Sequence, residues 1–246
     1  MVGRAADDRI DHLPLPHPRR QPPQLRRPRI VGRRHRLITR YRRRAVDRRR
    51  RRVSEHLRTH RGRLQTRGAT GWRDWNPYRS KLAAWLRASG REWPLAPDAR
   101  VLYLGAAEGT TVAHVGDLCP QGRVAAVEIS PTAMAELLPV AERYRNLLPV
   151  LADAHFPARY APQAKDCDFL YQDVAQRDQI AIFRRNWDAY RPQQGLLMLK
   201  APGIRGGAPQ VVLDEAETEL RAAFATVERS DISRWAKGHA AFWVEG

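Results

Sequence analysis

The chain uses four lysines, at positions 81, 165, 200 and 237, against 40 arginines. Arginine stays charged throughout the physiological range, whereas a lysine among apolar walls and a second cation can release its proton near neutrality. Lys200 ends the apolar run Leu196–Leu199, and Lys81 stands one helical turn from Tyr78 and Trp85, which shield its ammonium from water. Three carboxylates occupy comparable places: Glu128 closes the run that starts at Val124, Asp153 follows Leu147–Leu151, and Asp173 follows Cys167–Tyr171. Each alone reads as easily as a loop cap or a solvated charge. Together they mark one edge of a set of strands, where a carboxylate can take two ribose hydroxyls and a lysine can steer a proton.

These residues need a frame, and Val101–Val115 supplies its centre. Val101–Leu104 suits a strand buried on both faces, Gly105 and Gly109 free the backbone to approach a ligand, and Thr110 and Thr111 are placed to cap the helix that follows. The spacing Gly-x-x-x-Gly is neither the dinucleotide pattern nor the loop that cradles triphosphates, so an ordinary strand-to-helix turn would read the same way. Glu128, 23 residues after Gly105, adds the acid that a doubly wound fold aims at a nucleoside ribose. A nucleoside without a phosphate train fits, with S-adenosylmethionine and NAD as candidates. For the former, Asp153 could accept from the adenine amine, and negative surroundings favour a sulfonium.

Around that centre the helix and strand signals alternate. Asn76 as cap and Pro77 in the first turn predict a helix through Leu86, and Ser130-Pro131 opens another that runs to about Tyr144. Short apolar runs at Val124–Ile129, Leu147–Leu151, Cys167–Tyr171 and Leu196–Leu199, separated by helical patterns, predict a parallel sheet with crossover helices. A helix near Leu213–Phe224 leads into Val227–Ile232 and Ala240–Glu245, two late strands that predict an antiparallel edge.

Charge divides the chain in two. Residues 1–70 hold 23 arginines, no lysine and 5 acidic residues, the whole of the net +18, which leaves 21 basic and 21 acidic residues in 71–246. The first segment carries six prolines by Pro28 and the run Arg48–Arg52, with too little apolar periodicity to fold alone. A basic arm on RNA phosphate, a tail without a core and a misread frame or start are its three readings. The neutral remainder is long enough for one core but lacks the basic surface of an autonomous RNA binder. Cys119 and Cys167, without further Cys or His at ligand spacing, read as reduced thiols with no metal. No stretch is long and apolar enough for a membrane span or a signal core, so a cytoplasmic protein is expected.

Arg73-Asp74-Trp75-Asn76-Pro77-Tyr78-Arg79-Ser80-Lys81-Leu82-Ala83, Val101–Ala107, Asp173-Val174-Ala175-Gln176 and His239-Ala240 resemble, in order, the segments of fibrillarin, particularly the short archaeal fibrillarin-like proteins. The resemblance covers residues 72–246. It implies a Rossmann-like class I methyltransferase fold and S-adenosylmethionine-dependent 2'-O-methylation of ribose in rRNA and tRNA. It maps a catalytic tetrad onto Lys81, Asp173, Lys200 and His239. Cofactor contacts carry over to Gly105 and Ala106, Thr110 and Thr111, Glu128 with Ile129, Asp153 with Ala154, and Asp173, Val174, Ala175 and Gln176. In this reading Lys200 and Asp173 orient the hydroxyl and relay its proton, while Lys81 and His239 stabilise the developing oxyanion or an adjacent phosphate.

The implied partners are a box C/D guide RNA with its target rRNA or tRNA, a Nop-domain scaffold protein and a kink-turn-binding protein of the ribosomal L7Ae type. In an archaeal-type cell the setting is cytoplasmic; in a eukaryote it would be nucleolar. Two departures stand out. Glu108 occupies a loop position where the family commonly carries a small polar residue, and residues 1–70 show no counterpart of the family's small β-rich N-terminal domain. A catalytically silent scaffold, or a stand-alone methyltransferase for another acceptor, are the alternatives.

Overall fold

The computed structural model describes residues 55–246. The prolines and arginine runs up to Arg52, and with them the expected basic arm, lie outside the described residues. The apolar runs form β4 (Arg100–Leu104), β5 (Arg123–Glu128), β6 (Leu147–Leu151), β7 (Phe169–Gln172) and β8 (Gln194–Lys200), followed by β9 (Thr226–Asp231) and β10 (His239–Glu245). They build one seven-stranded sheet in the order β6-β5-β4-β7-β8-β10-β9. The first five strands of that order are parallel, and β10 runs antiparallel to both β8 and β9. This is the expected mostly parallel, Rossmann-like sheet with an antiparallel edge.

The reversal at β10 has a direct consequence. An antiparallel strand starts where its parallel neighbour stops, so His239, first in β10, lies opposite Lys200, last in β8.

Helices cover both faces: α1 (Lys81–Ser89), α2 (Thr110–Leu118), α3 (Pro131–Ala141), α4 (Ala161–Ala164), α5 (Gln179–Tyr190), α6 (Ala201–Ile204) and α7 (Pro209–Ala223). Because strand side chains alternate, Tyr103, Tyr171 and Trp243 pack with Trp85 and Val112 on one face, while Leu102, Leu104 and Phe242 pack with Phe183, Trp187 and Leu220 on the other. Trp85 stacks on Trp243 with ring centroids 5.6 Å apart. Among the described residues no helix is long and apolar enough to cross a membrane, and Cys119 and Cys167 are free and buried.

Two helix starts differ from expectation. Asn76 does not cap α1; its Oδ1 accepts the Tyr78 amide at 2.9 Å in a tight turn, and the cap is Ser80, whose Oγ accepts the Ala83 amide. Short polar side chains bond nearby backbone in turns as well as at caps, and Pro77 suits either place. Thr110 and Thr111 do not cap α2. Gly109 holds the cap position in a left-handed conformation (φ 93) without a side-chain bond, and the threonine hydroxyls turn to Glu108 and Ser80.

The largest departure precedes α1. β1 (Leu57–His60), β2 (Arg63–Gly68) and β3 (Gly71–Asp74) form an antiparallel sheet, so the segment expected to lack a core holds two strands and the boundary placed at residue 70 falls inside the sheet. A small β-rich unit in front of the larger sheet is present after all. Within β2 only Leu64 and Thr66 are buried, and the alternate positions are Arg63, Gln65 and Arg67. One buried leucine and one buried threonine among arginines give little periodicity to read.

Polar chemistry attaches this small sheet. The Asp117 carboxylate, on α2 and with a side chain fully shielded from solvent, accepts from Thr66 Oγ1 (2.6 Å), Arg73 Nε (2.6 Å) and Tyr144 OH (3.1 Å). Burial foremost, and then the Asp117 charge, push the Tyr144 phenol up to about 12, which keeps it a donor. Since Thr66 spends its one proton on Asp117, it accepts from His114 Nδ1 at 2.6 Å. Burial, with Arg73 nearby, lowers the His114 pKa to about 3, so the ring is neutral, and it stacks on Trp75.

At the end of β4, Gly105 (φ +83) lies so close to the next strand's turn that a Cβ there would stand 2.3 Å from the Asp173 carbonyl oxygen.

Two outcomes follow from this packing. Asp117→Ala leaves the buried Thr66 hydroxyl and the part-buried Arg73 guanidinium and Tyr144 phenol without their acceptor, a loss of about 3 kcal/mol. At roughly 2–4 °C per kcal/mol for a domain of this size, thermal unfolding should fall by about 6–12 °C. Gly105→Ala adds a left-handed penalty of about 1 kcal/mol to the collision with Asp173, so its thermal midpoint should fall too; a wild-type midpoint would show that the two turns can separate freely.

Candidate active site

Four strand or helix ends converge at the carboxyl edge of the parallel strands. Lys81 opens α1, Asp173 follows β7, Lys200 closes β8 and His239 opens β10. Lys81 Nζ donates to both oxygens of Asp173, at 2.9 and 2.8 Å, with both side chains partly exposed. The Lys81 ammonium is therefore held by a carboxylate, not by the apolar walls expected from Tyr78 and Trp85. Tyr78 is exposed in the preceding turn, and Trp85 is in the core. An ion pair this open adds at most about 1 kcal/mol of stability, so its effect is chiefly on orientation.

His239 is half-buried, and Lys81, Asp173 and Lys200 all act on it electrostatically. Burial first, with the two lysines, lowers its pKa below 6.5, against the opposing pull of the Lys237 carbonyl and Asp173. Nδ1 lies 3.0 Å from that carbonyl, which can only accept, so Nδ1 carries the hydrogen and Nε2 is left with its lone pair. Underneath, Tyr103 and Tyr171 are fully buried with ring centroids 4.4 Å apart. Burial pushes both phenols well above their ordinary value, with the Asp173 charge adding to it.

The residues expected to hold a nucleoside lie beside this cluster. The amides of Gly105 and Ala106 both donate to the Val127 carbonyl, which holds the glycine turn against the end of β5. Glu128 is 8% exposed, and its oxygens accept the amides of Ala107 (2.8 Å) and Ser130 (2.8 Å), one each. Each oxygen keeps capacity for a further donor, as the vicinal hydroxyls of a ribose require. Ile129 next to it is half-exposed, an apolar surface at the cleft wall. Asp153 accepts the His155 amide (2.9 Å) and the His155 ring (2.7 Å) on Oδ1. Ala154 is buried, with its carbonyl bonded to Asn186 and Tyr160. Glu108, the unexplained loop carboxylate, accepts from Thr110 Oγ1 at 3.0 Å on the exposed rim of α2.

Two supporting residues were not singled out in the sequence. Gln179 is fully buried and bonds the Gln176 carbonyl and both backbone groups of Lys200, so one side chain fixes the Asp173–Gln176 loop to the end of β8. Ser80 caps α1 and accepts from Thr111, joining the Lys81 helix to the rim of the cleft. A glutamine at the start of an apolar helix, facing inward, was the available signal for the first. Nothing in the sequence pairs Ser80 with Thr111.

Comparison with known proteins places this geometry. A family model described as Fibrillarin matches residues 43–245. The fibrillarin-like rRNA/tRNA 2'-O-methyltransferase of Thermoplasma acidophilum is 42% identical over 150 residues, covering 61% of this chain. The match takes in 63% of that relative, so the chain spans a little under two thirds of its length. Among solved structures, the chain resembles a fibrillarin in a fibrillarin/Nop5p complex, with a TM-score of 0.74 and 31% identity over 77% of this chain and 97% of that one. It also resembles Aeropyrum pernix fibrillarin with natively bound S-adenosyl-L-methionine, with a TM-score of 0.62 and 34% identity over 76% and 84% of the two chains. Since the family match runs from ahead of the small sheet to the last strand of the large one, the chain belongs to the fibrillarin family.

Proposed function

We propose that this chain transfers the methyl group of S-adenosylmethionine to the 2'-hydroxyl of a ribose in rRNA or tRNA. The observation that carries this reading is the cluster of Lys81, Asp173, Lys200 and His239 beside a cleft whose free acceptors suit a nucleoside. The cofactor's own demands are met by residues present. Glu128 has room for two ribose hydroxyls, Asp153 Oδ2 has no partner among the described residues, and Ile129 offers an apolar wall. When bound, S-adenosylmethionine supplies an electrophilic methyl group on a sulfonium.

The protein must bring a weak nucleophile into line with that methyl, so positioning dominates. Asp173, fixed by Lys81 on both oxygens, and the exposed Lys200 orient the acceptor hydroxyl. As the new O–CH3 bond forms and the C–S bond breaks, the ribose oxygen turns acidic and a weak base suffices. Nε2 of neutral His239 takes the proton. This changes the expected role of His239: a neutral ring whose only N–H is committed to Lys237 does not stabilise an oxyanion by charge. Lys81 and Lys200 are left as the cations for that task.

RNA recognition is assigned to partners. Residues 71–246 are electrically neutral, and binding of phosphate backbones needs cations. The solved relative in complex with Nop5p supports a Nop-domain scaffold as one partner. A box C/D guide RNA that pairs with the target, and a kink-turn-binding protein of the L7Ae type, complete the proposed assembly.

The direct test is methyl transfer from labelled S-adenosylmethionine to RNA, with and without guide RNA and partner proteins. Transfer to proteins or small molecules but never to guided RNA would overturn the reading. Asp173→Ala and Lys200→Ala should each abolish transfer with the fold retained; a near-wild-type rate in either would overturn the catalytic assignment of that residue. His239→Asn should lower kcat by about a hundredfold without loss of fold. Because the His239 pKa is depressed, its lone pair survives acidification through 6.5 and protonates only below that. The rate profile should therefore stay level across neutral pH and fall on an acid limb below 6.5, and that limb should be absent in His239→Asn.

A further inference from the structure

His155 is bonded on both ring nitrogens to carboxylates: Nδ1 lies 2.7 Å from Asp153 Oδ1, and Nε2 lies 2.9 Å from Asp178 Oδ2. A neutral imidazole has one N–H and can donate to one carboxylate. Donating to both requires the imidazolium. The two carboxylates belong to different loops. Asp153 opens the turn after β6, whereas Asp178 stands between the Asp173–Gln176 loop and α5. One ring thus ties together the two loops that flank the nucleoside end.

The bonds also divide the Asp153 carboxylate. The amide and the ring of His155 both use Oδ1, which fixes the group's rotation and turns Oδ2 toward a further donor. Among the described residues no other group is hydrogen-bonded to the ring. Arg185 bonds the His155 carbonyl at 3.1 Å, Arg159 lies over the Phe156 ring and acts electrostatically on Asp153, and Phe156 sits beside the imidazole with centroids 6.3 Å apart.

We propose that His155, as the imidazolium that bridges Asp153 and Asp178, is a positioning residue that sets the affinity of the cleft for the adenosyl group and makes that affinity depend on pH. The inference rests on the reading of Asp153 as the acceptor for adenine. The bond to Asp153 foremost, and then that to Asp178, raise the His155 pKa above 6.5 against the effect of burial. The sign follows: the bridge and the stability it contributes are fully present below 6.5 and are lost as the pH rises through the raised value.

The test is the dissociation constant of S-adenosylhomocysteine, measured by calorimetry on the full chain from about pH 6 to about pH 8.5. Wild-type binding should weaken about fivefold toward the alkaline end. His155→Asn and Asp178→Asn, each of which removes the bridge from one side, should bind at the weak level throughout and lose the slope that wild type shows. His155→Arg, a permanent cation with donors for both carboxylates, should restore tight binding without the slope. Wild-type affinity and slope in both asparagine variants would overturn the proposal, as would a failure of His155→Arg to differ from His155→Asn. Asp153→Asn separates the underlying reading: undiminished binding there removes Asp153 from adenine contact, whereas weak binding there with unaffected His155 and Asp178 variants refutes the bridge alone.

Discussion

The close approach of Gly105 to the Asp173 carbonyl is the constraint on which the cofactor edge depends. Here the turns after two neighbouring strands come closer than a Cβ allows, since a Cβ on Gly105 would stand 2.3 Å from that oxygen. The Asp173 amide in turn donates to the Leu104 carbonyl at 2.9 Å, so β7 leaves the sheet at a fixed point relative to the glycine turn. From that point the Asp173 carboxylate reaches Lys81 on the covering helix. Gln179 then passes the same constraint to Lys200 through two backbone bonds. The geometry of this edge is thus a backbone property first and a side-chain property second.

That ordering explains what the sequence discloses. Strands β4, β5, β7 and β8 are buried on both faces, and a run of consecutive apolar residues states such burial directly. The acids at their ends could be aligned for the same reason, because a strand end is well marked when the apolar run stops. Helix starts are marked less clearly. Asn76 and Ser80 are both competent caps four residues apart, and only the Lys81–Asp173 pair and the burial of Leu82–Leu86 select the second. Thr110 and Thr111 are good caps by type, yet Gly109 in a left-handed conformation takes the position and leaves the first amides of α2 without a side-chain cap. Side-chain bonds between remote segments, such as Ser80 with Thr111 or His155 with Asp178, leave no periodic trace and are visible only in the fold.

The small sheet was illegible for a different physical reason. Its hold on the body of the protein is a buried carboxylate that satisfies an arginine, a threonine and a tyrosine from three separate segments. Hydrophobic patterning reports transfer of apolar area, and β2 transfers little beyond Leu64. A sheet anchored by polar groups is also demanding, since removing the Asp117 carboxylate deprives all three donors of their acceptor at once. Asp117 sits on the same helix whose first turn edges the cofactor cleft, so the attachment of β1–β3 and the placement of that turn share one rigid element.

Charge at the active edge follows a consistent economy. Lys81 is matched by Asp173, and His155 by Asp153 and Asp178, while Lys200 is exposed and makes no salt bridge among the described residues. A matched pair holds geometry without attracting a polyanion, whereas an unmatched lysine at the same edge offers a local cation for the phosphate-linked ribose of the proposed substrate. One such charge orients a single nucleotide but supplies little of the affinity for a strand, because affinity for nucleic acid grows with the number of phosphates neutralised. The near balance of charge in the described residues, 25 basic against 22 acidic, fits the proposed delivery of RNA by partners. The proposed transfer also gives a reason for a lysine at position 200: a compact ammonium on a flexible stem can follow an acceptor hydroxyl as it moves, where a planar guanidinium would fix it in one fork geometry.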